Sequence, residues 1–121
     1  IKLKDSHPVL IETDYYKNLF KKIQDKNILI FSDDIKYCKK LDLFNQENVH
    51  FISTKNDVYD LYLMSICQDN IIANSTFSWW AAWLNQNENK KVYIPEKWFG
   101  EGKNNLIPDG LYLETWIKSE C

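Results

Sequence analysis

No arginine occurs in this chain: all fifteen of its basic residues are lysine. Arginine is the usual bidentate clamp for phosphate, so any such clamp must be lysine, backbone or hydroxyl, or must lie outside these residues. Glycine is scarce as well, three in all, and none stands before position 100. That leaves neither a P-loop nor a dinucleotide G-x-G-x-x-G fingerprint, which argues against kinase and hydride-transfer chemistry. A nucleophile elbow, which needs Gly on both sides of its Ser, is equally missing. No stretch approaches the roughly 20 apolar residues of a membrane span. The three cysteines, Cys38, Cys67 and Cys121, are odd in number and lack zinc spacing. They read as reduced structural thiols, with Cys67 a buried one closing an apolar helix. A net charge of −2 argues against a general nucleic-acid binder, which needs a basic surface.

What is present points to a packed domain. At 121 residues the chain can bury one core but is small for a complete enzyme with two substrates. Apolar residues make up 45% and aromatic residues 15%, which disfavours disorder. The start, Ile1-Lys2-Leu3-Lys4, is polar and followed by Pro8, so no signal peptide is expected. It also lacks an initiator Met, and the chain is expected to be a segment of something longer.

Four short apolar runs recur at regular spacing: Ile28 to Phe31, Val49 to Ile52, Ile71 to Ala73 and Val92 to Ile94. Near-continuous apolar runs rich in β-branched and aromatic residues are the pattern of parallel strands covered on both faces. Helical patterns lie between them. Asp14 to Lys26 places Tyr15, Leu19 and Ile23 on one side; Asp57 to Cys67 places Val58, Leu61 and Met64 three apart. A third, Thr76 to Asn85, aligns Phe77, Trp80 and Leu84, and a short one spans Asp34 to Leu41. This alternation predicts an α/β fold with a doubly wound parallel sheet, its ligand crevice at the carboxyl ends of the strands. Residues 1–13 read as an incoming loop, 14–94 as the alternating core, and 95–121 as an extension. The extension holds all three glycines and ends in a short amphipathic piece, Leu111 to Lys118.

The most informative run is Asn74-Ser75-Thr76-Phe77-Ser78, which turns directly into Trp79-Trp80-Ala81-Ala82-Trp83-Leu84. Small polar groups and free backbone N–H groups fall where a strand ends and a helix begins. The first helical N–H groups are unpaired and the helix dipole favours negative charge there, so a phosphate or diphosphate is the expected ligand. Trp79, Trp80 and Trp83 follow by helical spacing and read as core rather than sugar platforms. Phe77 is open between core and a wall beside a nucleotide.

The other strands also exit into polar residues. Ser32, Asp33 and Asp34 either cap the next helix or accept from the N1–H and N2–H of a guanine or from ribose hydroxyls. Two carboxylates could instead share a metal, but no third acidic ligand is placed to help. Thr54 and Asn56 read as cap and turn, and Asp60 as an exposed helix carboxylate. His7, in the leading loop, and His50, within a strand and read as packed, are weak candidates for a general base. Lys97, after the last core strand, could neutralise a phosphate or simply be solvated.

Several blocks together carry a family resemblance. They are Phe31-Ser32-Asp33-Asp34-Ile35, Tyr59 through Cys67, Asn70 through Leu84, and Val92 through Phe99. In order and spacing, over residues 14–117, they resemble the α-1,2-fucosyltransferases. The Leu-Met-Ser block at 63–65 and the Asn-Ser-x-Phe-Ser-Trp-Trp block at 74–80 are the specific ones. The resemblance implies a two-lobed GT-B enzyme, of which this chain is a single partial domain: the C-terminal, donor-binding, Rossmann-like lobe with its first strand missing. Such enzymes move L-fucose from GDP-β-L-fucose to the 2-hydroxyl of a galactose in a glycan, with inversion, and typically need neither cofactor nor metal.

Carried over residue by residue, Thr76, Phe77 and Ser78 match the diphosphate-binding turn, with Asn74 and Ser75 as its shoulder. Asp33 or Asp34 matches the position expected to touch guanine or ribose, and Asp60 a position that supports the site. Two small departures occur, Thr76 where Ser is usual and Ala81 where Gly is usual. The large one is the missing His-x-Arg-Arg-x-Asp motif, which in the family lies on the strand just upstream of where this chain begins. The implied partners are GDP-L-fucose, a galactose-terminated glycan and the N-terminal lobe of the same polypeptide, with no nucleic acid. The setting would be cytoplasmic or membrane-peripheral in a bacterium, the Golgi membrane in a eukaryote.

Fucosyl transfer needs charge stabilisation on the departing diphosphate and a base for the acceptor hydroxyl. This chain can supply N–H groups and hydroxyls but no arginine, so alone it is expected to bind GDP weakly and transfer nothing. Replacing Ser78 by Ala is expected to weaken GDP binding with little change in melting temperature. Two other classes are open: a non-catalytic sugar-nucleotide-binding module, and a signalling receiver. The receiver would want an Asp where Asn74 ends the third strand.

Overall fold

The computed structural model describes residues 10, 13–99 and 109–121. Its elements run in the order α1 (Tyr15–Lys22), β1 (Ile28–Phe31), α2 (Ile35–Lys39), a 3-10 turn (Asp42–Phe44), β2 (Val49–Ile52), α3 (Asp57–Ser65), β3 (Asn70–Ile71), α4 (Thr76–Leu84), β4 (Val92–Pro95) and β5 (Ile117–Ser119). Strand and helix alternate as the apolar runs predict. Most of the leading segment 1–13, with His7, and positions 100–108 of the extension lie outside the described residues.

Every strand pairing is parallel. In one ladder β1 lies beside β2, with Ile28 opposite Val49 and Phe31 opposite Ile52. In the other, the order is β3-β4-β5, with Ile71 opposite Tyr93 and Ile94 opposite Lys118. The expected single sheet is therefore found as two hydrogen-bonded pieces. A β3 of only two residues offers little edge on which β1 could continue the ladder. The end of the piece expected as amphipathic, Leu111 to Lys118, contributes instead to β5.

Helices cover both faces, and side-chain alternation along the strands sorts the core accordingly. On one face Phe20 and Ile23 of the α1 segment pack with Cys38, Phe44 and Val49, and Leu10, Tyr15 and Leu19 pack with Tyr93. On the other, Ala82 of α4 packs with Ile72, Val92, Ile94, Trp98 and Trp116. Tyr15 joins the two strands of its face: its hydroxyl donates to the Ile72 carbonyl at 2.7 Å and lies 3.1 Å from that of Tyr93. Burial pushes the Tyr15 phenol well above its usual range, so it stays protonated and able to donate.

The predicted inward face of α1 is found: Tyr15, Leu19 and Ile23 are all buried. The α3 and α4 patterns are not. No residue of α3 is buried, and Val58 is 71% exposed. In α4 the inward stripe is Ser78, Ala81 and Ala82, while Phe77, Trp80 and Leu84 face outward. Small side chains let α4 lie close on the strands, and the helical period then turns the large aromatic residues away. Of the three tryptophans expected in the core, Trp79 packs against it, its indole N–H donating to the Leu111 carbonyl at 2.8 Å. Trp80 and Trp83 are about half exposed, 50% and 51%. His50 is also exposed rather than packed, and Cys67 is only half-buried.

Candidate functional site

The turn between β3 and α4 is built by Ser75, the residue just before the helix. Its backbone is extended (φ −136°, ψ 143°) and its Oγ accepts from the Ser78 N–H at 3.2 Å. Side-chain caps of this kind satisfy one orphan donor and fix the first turn. The remaining N-terminal donors are the N–H groups of Thr76 and Phe77, which have no acceptor within their own helix. Both residues are exposed. With α4 running 9 residues to Leu84, its dipole adds positive character at this end. Two N–H groups, a Thr76 hydroxyl and an aromatic wall at Phe77 thus meet at the carboxyl end of β3, and an anion is what this arrangement can hold.

Ser78 has a different place. It is 6% exposed, and its Oγ lies 3.2 Å from the Ala73 carbonyl, 3.0 Å from the Ser75 carbonyl and 3.0 Å from the Ser75 Oγ. Its hydroxyl shapes the turn from inside. Asn74 does comparable work across the edge, its Nδ2 donating to the Trp98 carbonyl at 3.3 Å. That bond brings the segment after β4, with Lys97, beside the β3 exit.

The acidic candidates divide. Asp34 caps α2, its Oδ1 accepting from the Tyr37 N–H at 3.0 Å, and its own N–H donates to Ser32 Oγ at 3.0 Å. Asp33 is exposed at the same exit. Asp60 is held by the end of β2: its Oδ1 accepts from Thr54 N–H at 3.2 Å and from Thr54 Oγ at 2.7 Å. Asp60 therefore locks the loop that enters α3, itself capped by Asn56 through the N–H groups of Val58 and Tyr59. Among the described residues no three His, Cys, Asp or Glu side chains gather to hold a metal ion.

A buried amide pair at the far end of α4 was not singled out from sequence. Asn85 Nδ2 lies 2.8 Å from both the Cys67 carbonyl and Asn70 Oδ1, and Asn70 Nδ2 donates to the Met64 carbonyl at 2.8 Å. Lys90 Nζ reaches the Ala82 and Asn85 carbonyls at 2.8 and 2.6 Å, satisfying acceptors that a helix end leaves open. The ends of α3 and α4 and the start of β3 are thereby tied together, which fixes the direction in which α4 presents its N-terminus. Two asparagines flanking apolar runs were the available signal.

Comparison with known proteins bears on the whole chain. Residues 4–120 match the model of glycosyl transferase family 11. Among curated relatives, the O-antigen biosynthesis glycosyltransferase WbnK of Escherichia coli is 42% identical over 116 residues, covering 89% of this chain and 36% of the relative. The alpha-1,2-colitosyltransferase of Escherichia coli is 35% identical over 111 residues, covering 88% of this chain and 37% of the relative. The chain thus spans a little over a third of the length of these relatives. No solved structure matches it. With a family match across nearly every residue, and the Asn74–Ser78 turn set at a strand-to-helix junction, the chain belongs to glycosyl transferase family 11.

Proposed function

We propose that this chain is the donor-binding part of a galactoside α-1,2-fucosyltransferase, holding GDP-β-L-fucose by its diphosphate at the N-terminus of α4. The observation that carries the reading is the α4 turn: Ser75 takes up the Ser78 N–H, which leaves those of Thr76 and Phe77 for a ligand. Within this reading Thr76 adds a hydroxyl, Phe77 walls the nucleotide, and Asn74, Ser75 and Ser78 set the shape. Asp33, exposed at the β1 exit, or Asp34, which also caps α2, would meet guanine or ribose. Asp60 supports the neighbouring loop. The acceptor would be a galactose-terminated glycan whose 2-hydroxyl, giving up its proton to a base, attacks the fucosyl anomeric carbon and displaces GDP with inversion. A relative named as a colitosyltransferase makes the donor sugar the feature most open to variation.

Preorganised donors aimed at a developing oxyanion contribute about 100- to 1,000-fold to rate. The N–H groups of α4 could do this for the departing GDP. A cationic partner for that group would be a lysine such as Lys97 or a residue outside these 121. Titrating the chain with GDP and with GDP-L-fucose, and assaying transfer to a galactoside, tests the reading. Weak, saturable binding of both nucleotides with no transfer is expected; no binding of either would defeat it. The alternative is a sugar-nucleotide-binding module without catalysis. Failure to transfer in a family-length polypeptide that still binds donor would establish that alternative.

A further inference from the structure

We propose that the outward faces of α3 and α4 form an interface with the part of a family-length polypeptide that this chain does not contain. Tyr59, Tyr62 and Ile66 recur at helical spacing along α3 and just past its end, exposed by 62%, 61% and 57%. Trp80, Trp83 and Leu84 do the same on α4, and the rings of Trp80 and Trp83 meet edge to face at 5.5 Å. The two helices pack side by side, and on α4 the buried stripe of Ser78, Ala81 and Ala82 puts the aromatic residues on the opposite side. The two exposed stripes therefore lie on adjoining helices.

Size and composition identify what covers them. Those six side chains leave on the order of 700 Å² in contact with water, above the roughly 300–600 Å² of the largest patch on a typical monomer and near the roughly 800 Å² that one partner contributes to a standard interface. Charge is confined to Asp57 and Asp60 at the start of α3, and α4 carries none. An aromatic face depleted of charge is the composition of an interface core. It also lacks the lysines with which an amphipathic surface would engage an anionic membrane. The source of the partner follows from length: the chain spans 36% and 37% of its relatives, so nearly two thirds of a family-length polypeptide remains available to pack here.

The proposal rests on the reading that this chain is one part of a longer transferase. Its test compares this chain alone with the same 121 residues carried in place of the matched third of the 42%-identical relative. Collisional quenching of tryptophan fluorescence by acrylamide reads Trp80 and Trp83, the two most open indoles. Quenching several-fold weaker in the joined polypeptide, with Tyr62→Gln and Trp83→Gln lowering its melting temperature but not that of the chain alone, is expected. Equal quenching in both overturns the proposal. So does a chain that sediments as a dimer with these indoles already protected, since a second copy is then the occupant. A joined polypeptide that fails to fold is replaced by the intact relative, in which hydrogen exchange reads the segments aligned with α3 and α4. Exchange there as fast as in this chain alone also overturns it. Donor binding is measured separately: its failure counts against the proposed function, and loss of protection counts against the interface alone.

Discussion

Thr76 and Ser78 stand two residues apart on the same helical turn with hydroxyls in opposite environments. Thr76 is exposed, whereas Ser78 is buried with its Oγ among the carbonyls of Ala73 and Ser75. Their alanine variants should therefore separate. Ser78→Ala should cost about 1–2 kcal/mol, because carbonyls buried with the hydroxyl lose a donor, and thermal unfolding will register it as a drop of several degrees. Thr76→Ala should leave the melting temperature unchanged and weaken GDP binding. The sequence pattern shows hydroxyls at a helix start but not which way each points, so both Ser and Thr look like ligand groups there. A second residue-scale effect concerns pH. The Tyr112 hydroxyl donates toward the Pro95 and Glu96 carbonyls at 2.8 and 2.9 Å, and burial, helped by Cys121 and Glu96, raises its pKa to about 12. A phenol raised above its unfolded value near 10 contributes stability that is complete below about pH 10 and is lost as pH climbs through the folded value. Chemical denaturation between pH 9 and 12 should accordingly show a steeper loss in the wild type than in Tyr112→Phe.

The strands were readable because each is a compact apolar run of β-branched and aromatic residues, and β1, β2 and β4 begin where those runs begin. β5 was not, because Ile117 to Ser119 is short, and two of its three residues are exposed. It becomes a strand by pairing with β4. The faces of α3 and α4 are not legible in the sequence for a related reason. Periodicity shows that Phe77, Trp80 and Leu84 share a side but cannot say whether that side meets the strands or something else. Close approach of α4 to Ile72 and Ile94 requires a small residue, and Ala82 supplies it. The Asn70–Asn85 bond was also hidden, since its two partners are 15 residues apart and meet only through tertiary packing. Asn85→Ala should remove a donor from the Cys67 carbonyl and strand Asn70 Oδ1, costing about 1–3 kcal/mol. Equilibrium unfolding in urea checks this, and a variant as stable as the wild type would show that the pair does not hold α4 in place.

For the whole molecule, parallel pairing puts the carboxyl ends of β3, β4 and β5 on one edge, where the α4 turn sits. The family match over residues 4–120 agrees with the resemblance carried by the blocks at 59–67 and 70–84. The candidate residues divide into exposed ones, Asp33, Thr76 and Phe77, and ones whose side chains bond the turns around them, Asp34, Asp60, Asn74, Ser75 and Ser78. In the proposed function the N–H groups at the start of α4 bind the donor's diphosphate. Calorimetric titration of GDP into wild type and Thr76→Pro tests it most directly. Proline is tolerated at a first helical position, and the extended backbone of Ser75 suits the residue that precedes a proline. The substitution deletes one N–H and one hydroxyl while keeping the helix. Loss of one charge-assisted bond of about 1.5–3 kcal/mol predicts GDP binding weakened by roughly ten- to a hundredfold at an unchanged melting temperature. Undiminished GDP affinity in Thr76→Pro would contradict the account and place the diphosphate elsewhere.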